Sequence, residues 1–247
     1  MTSLPLVLEV LHHRSGVLAL AKPAGLPTQA VPGIESVEGL IRRQLFGEAV
    51  AVDLAAGRRR HPGGFLGIPH RLDRPVSGVL LLATTPRAAR QLSRQFERRQ
   101  ISKVYLAVVE PIAADLVADE EMFEWRDVIR KIPDEARAEI VATDIPGGRE
   151  AITDGRPLAV RGGRLLLELH PRTGRTHQLR LQAAARGLPI VGDQLYGSAD
   201  KVANSAASSL ALHAHMISFQ DPETGKPVSI CCPLPESPLW ADWPQVR

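Results

Sequence analysis

The sequence predicts one domain of mixed α/β or α+β type with mostly antiparallel strands. Most of its regular hydrophobic segments are typical of strands, and few helices lie between successive strands as a repeated βαβ unit requires. No linker or internal repeat divides the 247 residues. A chain of this length buries about two thirds to three quarters of its unfolded surface, which suffices for a core without disulfides.

The first predicted elements are two strands and a helix. "LVLEVL" and "GVLALAK" are strands joined by a turn, and Pro23, Gly25 and Pro27 force a loop after them. In "SVEGLIRRQLF" the apolar residues recur at helical spacing, with Ser36 as the N-cap. Residues 57–67 are basic and rich in Gly and Pro, which predicts an exposed loop.

The remaining chain alternates strands with two helices. "SGVLLLA" predicts a strand buried on both faces, followed by a helix capped by Thr85 and begun at Pro86. One face of that helix, "PRAARQLSRQFERRQ", is mostly arginine. "ISKVYLAVV", "GGRLLLELH" and "SLALHAHMISF" are β-rich, and "TGRTHQLRLQAAARGLPI" predicts a loop, a helix from about Thr176 and a stop at Gly187.

The net charge of +3 is unevenly distributed. Residues 57–103 carry eleven Arg or Lys against two acids (+9), residues 109–154 five against thirteen (−8), and residues 155–190 seven against one (+6). If the two basic blocks fold together, they form a positive face suited to a phosphate backbone. Solvated helix faces are the alternative explanation for each single block.

Several kinds of site and location are excluded by pattern. Cys231 and Cys232 are adjacent, which does not fit a disulfide framework or a four-ligand zinc site and favours a reducing, cytoplasmic setting. No signal peptide pattern and no apolar run near the ~20 residues of a membrane span are present. Without a Walker loop, dinucleotide fingerprint, zincin motif or nucleophile elbow, we expect no cofactor and no metal.

Asp73 is the first candidate for chemistry. It stands between Arg71 and Arg74 in "HRLDRP", directly before the apolar strand. As a structural residue it would be a turn aspartate neutralised by a neighbouring arginine. As a functional residue it would be a carboxylate kept ionised in a partly buried site, ready to act as nucleophile or base. Local sequence leaves both interpretations open.

The segment "PRTGRTHQLRLQ" favours the functional interpretation. Arg172 and Arg175 are predicted at a helix N-terminus, where backbone N–H groups attract anions. His177, Arg180 and Ala184 share one helical face, so Arg180 is able to point into the domain, where it needs a carboxylate or phosphate partner. Ordinary surface arginines are the alternative.

Tyr105 and Lys103 lie two residues apart in a predicted strand, so both side chains point the same way. A tyrosine beside a lysine on a strand face is suited to stack a base and hold a phosphate. A core tyrosine with its hydroxyl at the rim is equally compatible with the pattern.

Together these motifs resemble the RluA family of RNA pseudouridine synthases. "AKPAGLPT", "HRLDRPVSGVLLLA", "SKVYLAVV", "REAIT", "TGRTHQLRLQAAARGLPIVGDQLYG" and "LALHAHMISF" occur in the family's order, from about Val17 to Phe219. The resemblance implies an α+β fold. It implies one catalytic domain over residues 1–247, with a central, largely antiparallel mixed sheet flanked by helices and loops, and an active-site cleft.

The resemblance also implies roles for particular residues. Asp73 matches the essential aspartate, Arg180 its ion-pair partner, and Tyr105 the residue that packs against the target base. Arg71 matches the side chain that enters the RNA stack when the base leaves. The remaining expected RNA contacts are His70, Lys103, Arg175 and His177.

The implied activity is an isomerase that converts specific uridines in structured ribosomal or transfer RNA to pseudouridine without a cofactor. We expect a monomer with RNA as its partner, no obligate protein partner and no membrane. Two alternatives stay open. One is a catalytically silent RNA-binding protein on the same fold, and the other is a small-molecule hydrolase using Asp73 with His70 or His177.

Two features depart from the family pattern. Val76 stands where the family usually has Thr, and we expect it to pack in the core. Only about 16 residues precede Val17, so we expect no S4-like RNA-binding module and selection of RNA by the catalytic domain's own basic face.

Overall fold

The computed structural model describes residues 6–47, 64–111, 122–197 and 210–243, which group into two compact units. Unit 1 comprises the described residues up to Ile101 and Met216–Cys232, and unit 2 those of Ser102–His215 and from Pro233 onward. Residues 57–63 of the predicted basic loop and residues 112–121 of the acidic segment lie outside the described residues. A single catalytic domain over the whole chain stays a prediction.

Unit 1 begins with a hairpin of β1 (Glu9–Arg14) and β2 (Val17–Lys22), which pair antiparallel. Ser15 and Gly16 form the turn with φ of 52° and 71°, the positive values that a two-residue hairpin turn requires. Next to β2 lies β3 (Ser77–Ala83), also antiparallel, with all seven residues buried. This confirms the prediction of a strand buried on both faces.

Both helices of unit 1 begin at the predicted caps. α1 spans Val37–Phe46 and α2 spans Pro86–Glu97. The side-chain oxygens of Ser36 and Thr85 each accept a hydrogen bond at 3.2 Å from the backbone N–H three residues on, which satisfies a donor that the helix itself leaves unpaired.

Two further strands complete unit 1. Residues 216–220 of β9 (Leu212–Gln220) belong to this unit and pair antiparallel with β10 (Pro227–Cys231). β9 lies almost entirely within "SLALHAHMISF", the segment that the sequence analysis found β-rich, and β10 follows it.

Unit 2 is a sheet with one described helix against it. The strand order is β4-β8-β7-β5-β6, and each pair is antiparallel. The prediction of a largely antiparallel α+β fold is therefore confirmed. The elements are β4 (Ser102–Val109), β5 (Phe123–Lys131), β6 (Ala138–Ile140), β7 (Arg149–Arg161), β8 (Arg164–Pro171) and α3 (Gln178–Ala185).

The sequence analysis assigned no strand to β5, β6 or β7. The reason is clearest in β7, which contains Gly155 and Pro157, residues that usually interrupt strands. A register shift between Pro157 and Ala159 accommodates the proline. At Gly155 the ring of Phe123 fills the side-chain space, since a Cβ there would lie 2.5 Å from the ring.

Candidate active site

In unit 1 the loop that carries Asp73 is fixed by residues 22–28, the last residue of β2 and the segment after it. The Thr28 hydroxyl accepts from the backbone N–H of Leu72 at 3.2 Å and donates to its C=O at 2.9 Å. Gly25 N–H donates to the C=O of Arg74, and Arg74 Nε donates back to Gly25 C=O, both at 2.9 Å. The motifs "AKPAGLPT" and "HRLDRPVSG" therefore form one structural element around Asp73.

Lys22 is buried against this loop, with 2% of its surface exposed. Its Nζ donates to the backbone carbonyls of Pro23, Arg74 and Val76 at 2.9, 3.2 and 2.7 Å. Burial lowers the pKa of Lys22 to about 7, although the negative charge of Asp73 opposes the shift. Lys22 thus ties the turn that follows Asp73 to the end of β2.

Asp73 lies where the chain alternates between solvent and core. Arg71 is exposed, Leu72 is buried, and Asp73 is half-buried. The N–H of Val76 donates to the C=O of Asp73 at 3.1 Å and closes the turn. Val76 is 3% exposed, as its expected packing role requires. A fixed backbone therefore holds a half-buried aspartate two positions after an exposed arginine.

His70 has structural contacts at the start of this loop. Its Nε2 accepts a hydrogen bond from the backbone N–H of Leu81 at 2.8 Å, and its ring stacks on Phe96 with centroids 4.7 Å apart. Because Nε2 is an acceptor here, the ring proton of the neutral form lies on Nδ1. These contacts join the Asp73 loop to β3 and α2, and the expected contact of His70 with RNA stays a prediction.

In unit 2, Arg180 points inward as predicted and is 6% exposed. Its Nε and one terminal nitrogen bind both carboxylate oxygens of Asp193 at 2.8 and 2.7 Å. Burial alone would raise the pKa of Asp193. The ion pair with Arg180 and the backbone N–H groups of Leu195 and Tyr196 instead hold that pKa below its ordinary value.

Tyr196 connects this ion pair to His177. Its ring lies 5.3 Å from the Arg180 guanidinium carbon, and its hydroxyl accepts from the backbone N–H of Ala138 at 2.9 Å. The same hydroxyl forms a hydrogen bond of 2.8 Å with His177 Nδ1. His177 precedes α3 with a left-handed φ of 53°, which costs free energy in a residue other than glycine.

Lys103 and Tyr105 are both half-buried and alternate with buried residues, so they share one face of β4 as predicted. Lys103 Nζ donates to the C=O of Thr173 at 3.5 Å, which places it beside the loop that leads into α3. Burial lowers the pKa of Lys103 to about 8.

Arg172 and Arg175 were expected to attract an anion at a helix N-terminus, but both bind other groups of the protein. Arg172 binds both oxygens of Asp154, in β7, at 2.5 and 2.6 Å and Glu124, in β5, at 3.1 Å. Its guanidinium is therefore part of a protein ion-pair network. Arg175 Nε donates to the C=O of Glu150 at 2.9 Å.

Three residues of this geometry were missed by the sequence analysis, namely Lys22, Thr28 and Asp193. Lys22 and Thr28 stand inside "AKPAGLPT", and a single lysine at the end of an otherwise apolar strand was the available signal. Asp193 stands in "VGDQLYG" directly after a turn glycine, a position that carries no signal for a partner on a helix.

Among the described residues, no three His, Cys, Asp or Glu side chains come together in a group able to hold a metal ion. None of the three described helices has the length and apolar composition of a membrane span.

Comparison with known proteins gives matches over most of the chain. The model of the RNA pseudouridylate synthase family matches residues 16–185. The chain is 34% identical to tRNA pseudouridine synthase C of Salmonella typhi, covering 97% of this chain and 88% of that relative. It is also 34% identical to ribosomal large subunit pseudouridine synthase D of Xanthomonas campestris, covering 93% of this chain and 66% of that relative.

The fold has a solved counterpart. The structure of human RNA pseudouridylate synthase domain containing 1 matches with a TM-score of 0.70 at 25% sequence identity, covering 100% of this chain and 91% of that one.

Proposed function

Because this chain belongs to the RNA pseudouridylate synthase family, we propose that Asp73 is the residue that carries out its reaction. The chain is an RNA pseudouridine synthase, an isomerase of uridine in RNA, and this replaces the hydrolase alternative. One observation above all supports the role of Asp73. The backbone on both sides of it is fixed by Thr28, Gly25 and Lys22, while Asp73 itself stays half-buried.

The reaction breaks the bond between N1 of uracil and C1′ of ribose and forms a bond from C5 to C1′. C5 loses its hydrogen and N1 gains one, so no oxidant, reductant or energy source is needed. Attack of the carboxylate on the base, attack on the anomeric carbon and removal of a ribose proton each require an ionised Asp73. Asp73 therefore serves the reaction in all three routes.

The target uridine first leaves its stack, which costs a few kcal/mol. Arg71 fills the gap in the RNA, a role that its exposure next to the fixed turn supports. Tyr105 holds the face of the flipped base, supported by its half-buried position on the same strand face as Lys103. The amine of Lys103 and the guanidinium of Arg175 bind phosphates of the RNA backbone.

We propose that Arg180 is a positioning residue that acts as an ion-pair partner of Asp73. Its buried guanidinium already has Asp193 as one carboxylate partner. His70 and His177 contact RNA at the edges of their two segments. Single-stranded loops of ribosomal or transfer RNA are the expected targets, because their bases are partly unstacked.

We further propose that the protein acts as a monomer in the cytoplasm, without an obligate protein partner. Cys231 and Cys232 are free thiols, which supports a reducing compartment. Sedimentation of the purified protein with and without RNA tests the monomer.

The test of Asp73 uses Asp73→Asn, with Asp144→Asn at an exposed position as the matched control. Pseudouridine is counted directly by nucleoside analysis after incubation with ribosomal and transfer RNA from cells that lack the protein. We expect no product from Asp73→Asn, with the fold and RNA affinity nearly unchanged, and full activity from Asp144→Asn. Product from Asp73→Asn would refute the role of Asp73, and none from the unaltered protein would favour the silent RNA-binding alternative.

A further inference from the structure

Helix α2 of unit 1 carries a stripe of exposed arginines: Arg87, Arg90, Arg94 and Arg98, the last one residue past the helix end. Their spacing of three, four and four residues keeps them within about 80° of one another around the helix axis. Eleven residue steps separate Arg87 from Arg98, so the stripe is about 16 Å long. It is a continuous, solvent-facing row of positive charge.

These arginines differ from eight other arginines of the described chain, which form ion pairs. Arg42, Arg126, Arg156 and Arg186, for example, each bind a carboxylate. Within the described residues, no such ion pair involves any arginine of the stripe. The charge of the stripe is therefore not neutralised by carboxylates of the described chain.

Helix stability does not explain the stripe. Like charges three or four residues apart destabilise a helix, and Arg87 stands in the first turn, where the helix dipole disfavours a cation and no acidic residue is present. Arg99, directly after the stripe, has a left-handed φ of 56°, a conformation that helix ends usually give to glycine. The stripe and the backbone of Arg99 therefore lower the stability of the folded protein.

The opposite face of α2 links the stripe to the Asp73 loop within unit 1. Phe96, about 180° around the helix from Arg87, stacks on His70, three residues before Asp73. Gln95 binds both backbone groups of Gln220 at 2.8 Å, which fixes the helix to β9. The stripe is thus held rigidly relative to the proposed catalytic aspartate.

From these observations we propose that the arginine stripe of α2 is a docking surface for the phosphate backbone of the substrate RNA, outside the nucleotide that reacts. This rests on the proposed function, since it takes the bound polymer to be the RNA that Asp73 modifies. At roughly 3.4 Å per stacked nucleotide, 16 Å covers about four to five phosphates. Arginine is suited to this role because its planar guanidinium binds phosphate with two parallel hydrogen bonds.

The test replaces all four arginines by glutamine, which preserves the helix. A matched control removes four exposed positive charges elsewhere, as Lys131→Gln, Arg149→Gln, Arg164→Gln and Lys226→Gln. A second variant changes the four stripe arginines to lysine. Circular dichroism and thermal melting verify folding. Dissociation constants are measured from about 50 to 200 mM salt with labelled unfractionated transfer RNA and, in a separate arm, with ribosomal RNA.

We expect the glutamine stripe variant to bind RNA at least about tenfold more weakly at low salt. Its affinity should also depend less on salt, with the negative slope of log affinity against log salt shallower by about 2 to 3. Turnover at saturating RNA should stay within about twofold, and the lysine variant and the control within about threefold in affinity. Equal losses in stripe variant and control, or no loss, would overturn the proposal. Asp73→Asn separates the two hypotheses, since it removes product without weakening binding at the stripe.

Discussion

Arg180 and Asp193 form a two-pronged ion pair in which the side chains are only 7% and 1% exposed. Both partners come from one short stretch of unit 2, thirteen residues apart, but from different elements, the helix α3 and the turn after it. Asp193 also accepts two backbone N–H groups, so each of its oxygens is used. The inward position of Arg180 therefore depends on a carboxylate that is itself fixed by the backbone.

We expect Asp193→Ala to lower the free energy of unfolding by about 3–5 kcal/mol, because it leaves a buried guanidinium without this partner. Glu124→Ala is the matched control, since Glu124 forms ion pairs at 39% exposure and such pairs contribute at most about 1 kcal/mol. Urea unfolding measures both. Similar small losses in the two variants would show that the buried pair contributes little to the fold.

Lys22→Met should uncouple the Asp73 loop from β2. Three backbone carbonyls lose their donor while the apolar stem is retained, so we expect a loss of about 1–3 kcal/mol in the free energy of unfolding. Turnover should fall while RNA affinity stays the same, because the loop that positions Asp73 loosens. Lys131→Met, at an exposed lysine, should change neither. Normal turnover in a destabilised Lys22→Met would restrict Lys22 to a structural role.

Whether the sequence predicted a feature depends on how far apart along the chain its interacting residues lie. The caps Ser36 and Thr85, the buried strand β3 and the shared face of Lys103 and Tyr105 depend on residues a few positions apart, and sequence patterns report these directly. The bond from Lys22 to Val76 joins residues 54 positions apart. No periodicity within one element encodes such a pairing, so it emerged only from the fold.

RNA affinity should fall with pH through the titration of Lys103. Its pKa of about 8 means that the amine is mostly charged at pH 7 and mostly neutral at pH 9, so a contact with phosphate would weaken by up to about tenfold over that range. Lys103→Arg keeps its charge and should show a much smaller change. Dissociation constants at pH 7, 8 and 9 measure this, and equal pH profiles would contradict a phosphate contact at Lys103.

The same shift affects stability with a defined sign. The pKa of Lys103 in the folded protein lies below the ordinary lysine value of 10.5, so unfolding takes up a proton between about pH 8 and 10.5. The contribution of Lys103 to the free energy of unfolding therefore rises with pH across that window. Lys103→Gln should lack this rise in urea unfolding at pH 8 and 10, and an unchanged slope would contradict the assignment.

His177 tests the backbone conformation at the start of α3. Both His177→Gly and His177→Ala lose the contact with Tyr196, so their difference reports the left-handed φ of 53° alone. Glycine adopts this conformation freely and alanine does not, so the Gly variant should be more stable than the Ala variant by about 1 kcal/mol. At Gln91, inside α2, the order should reverse, because glycine is the poorer helix former there. If thermal unfolding shows the Ala variant to be more stable than the Gly variant at both positions, the backbone at His177 is not strained.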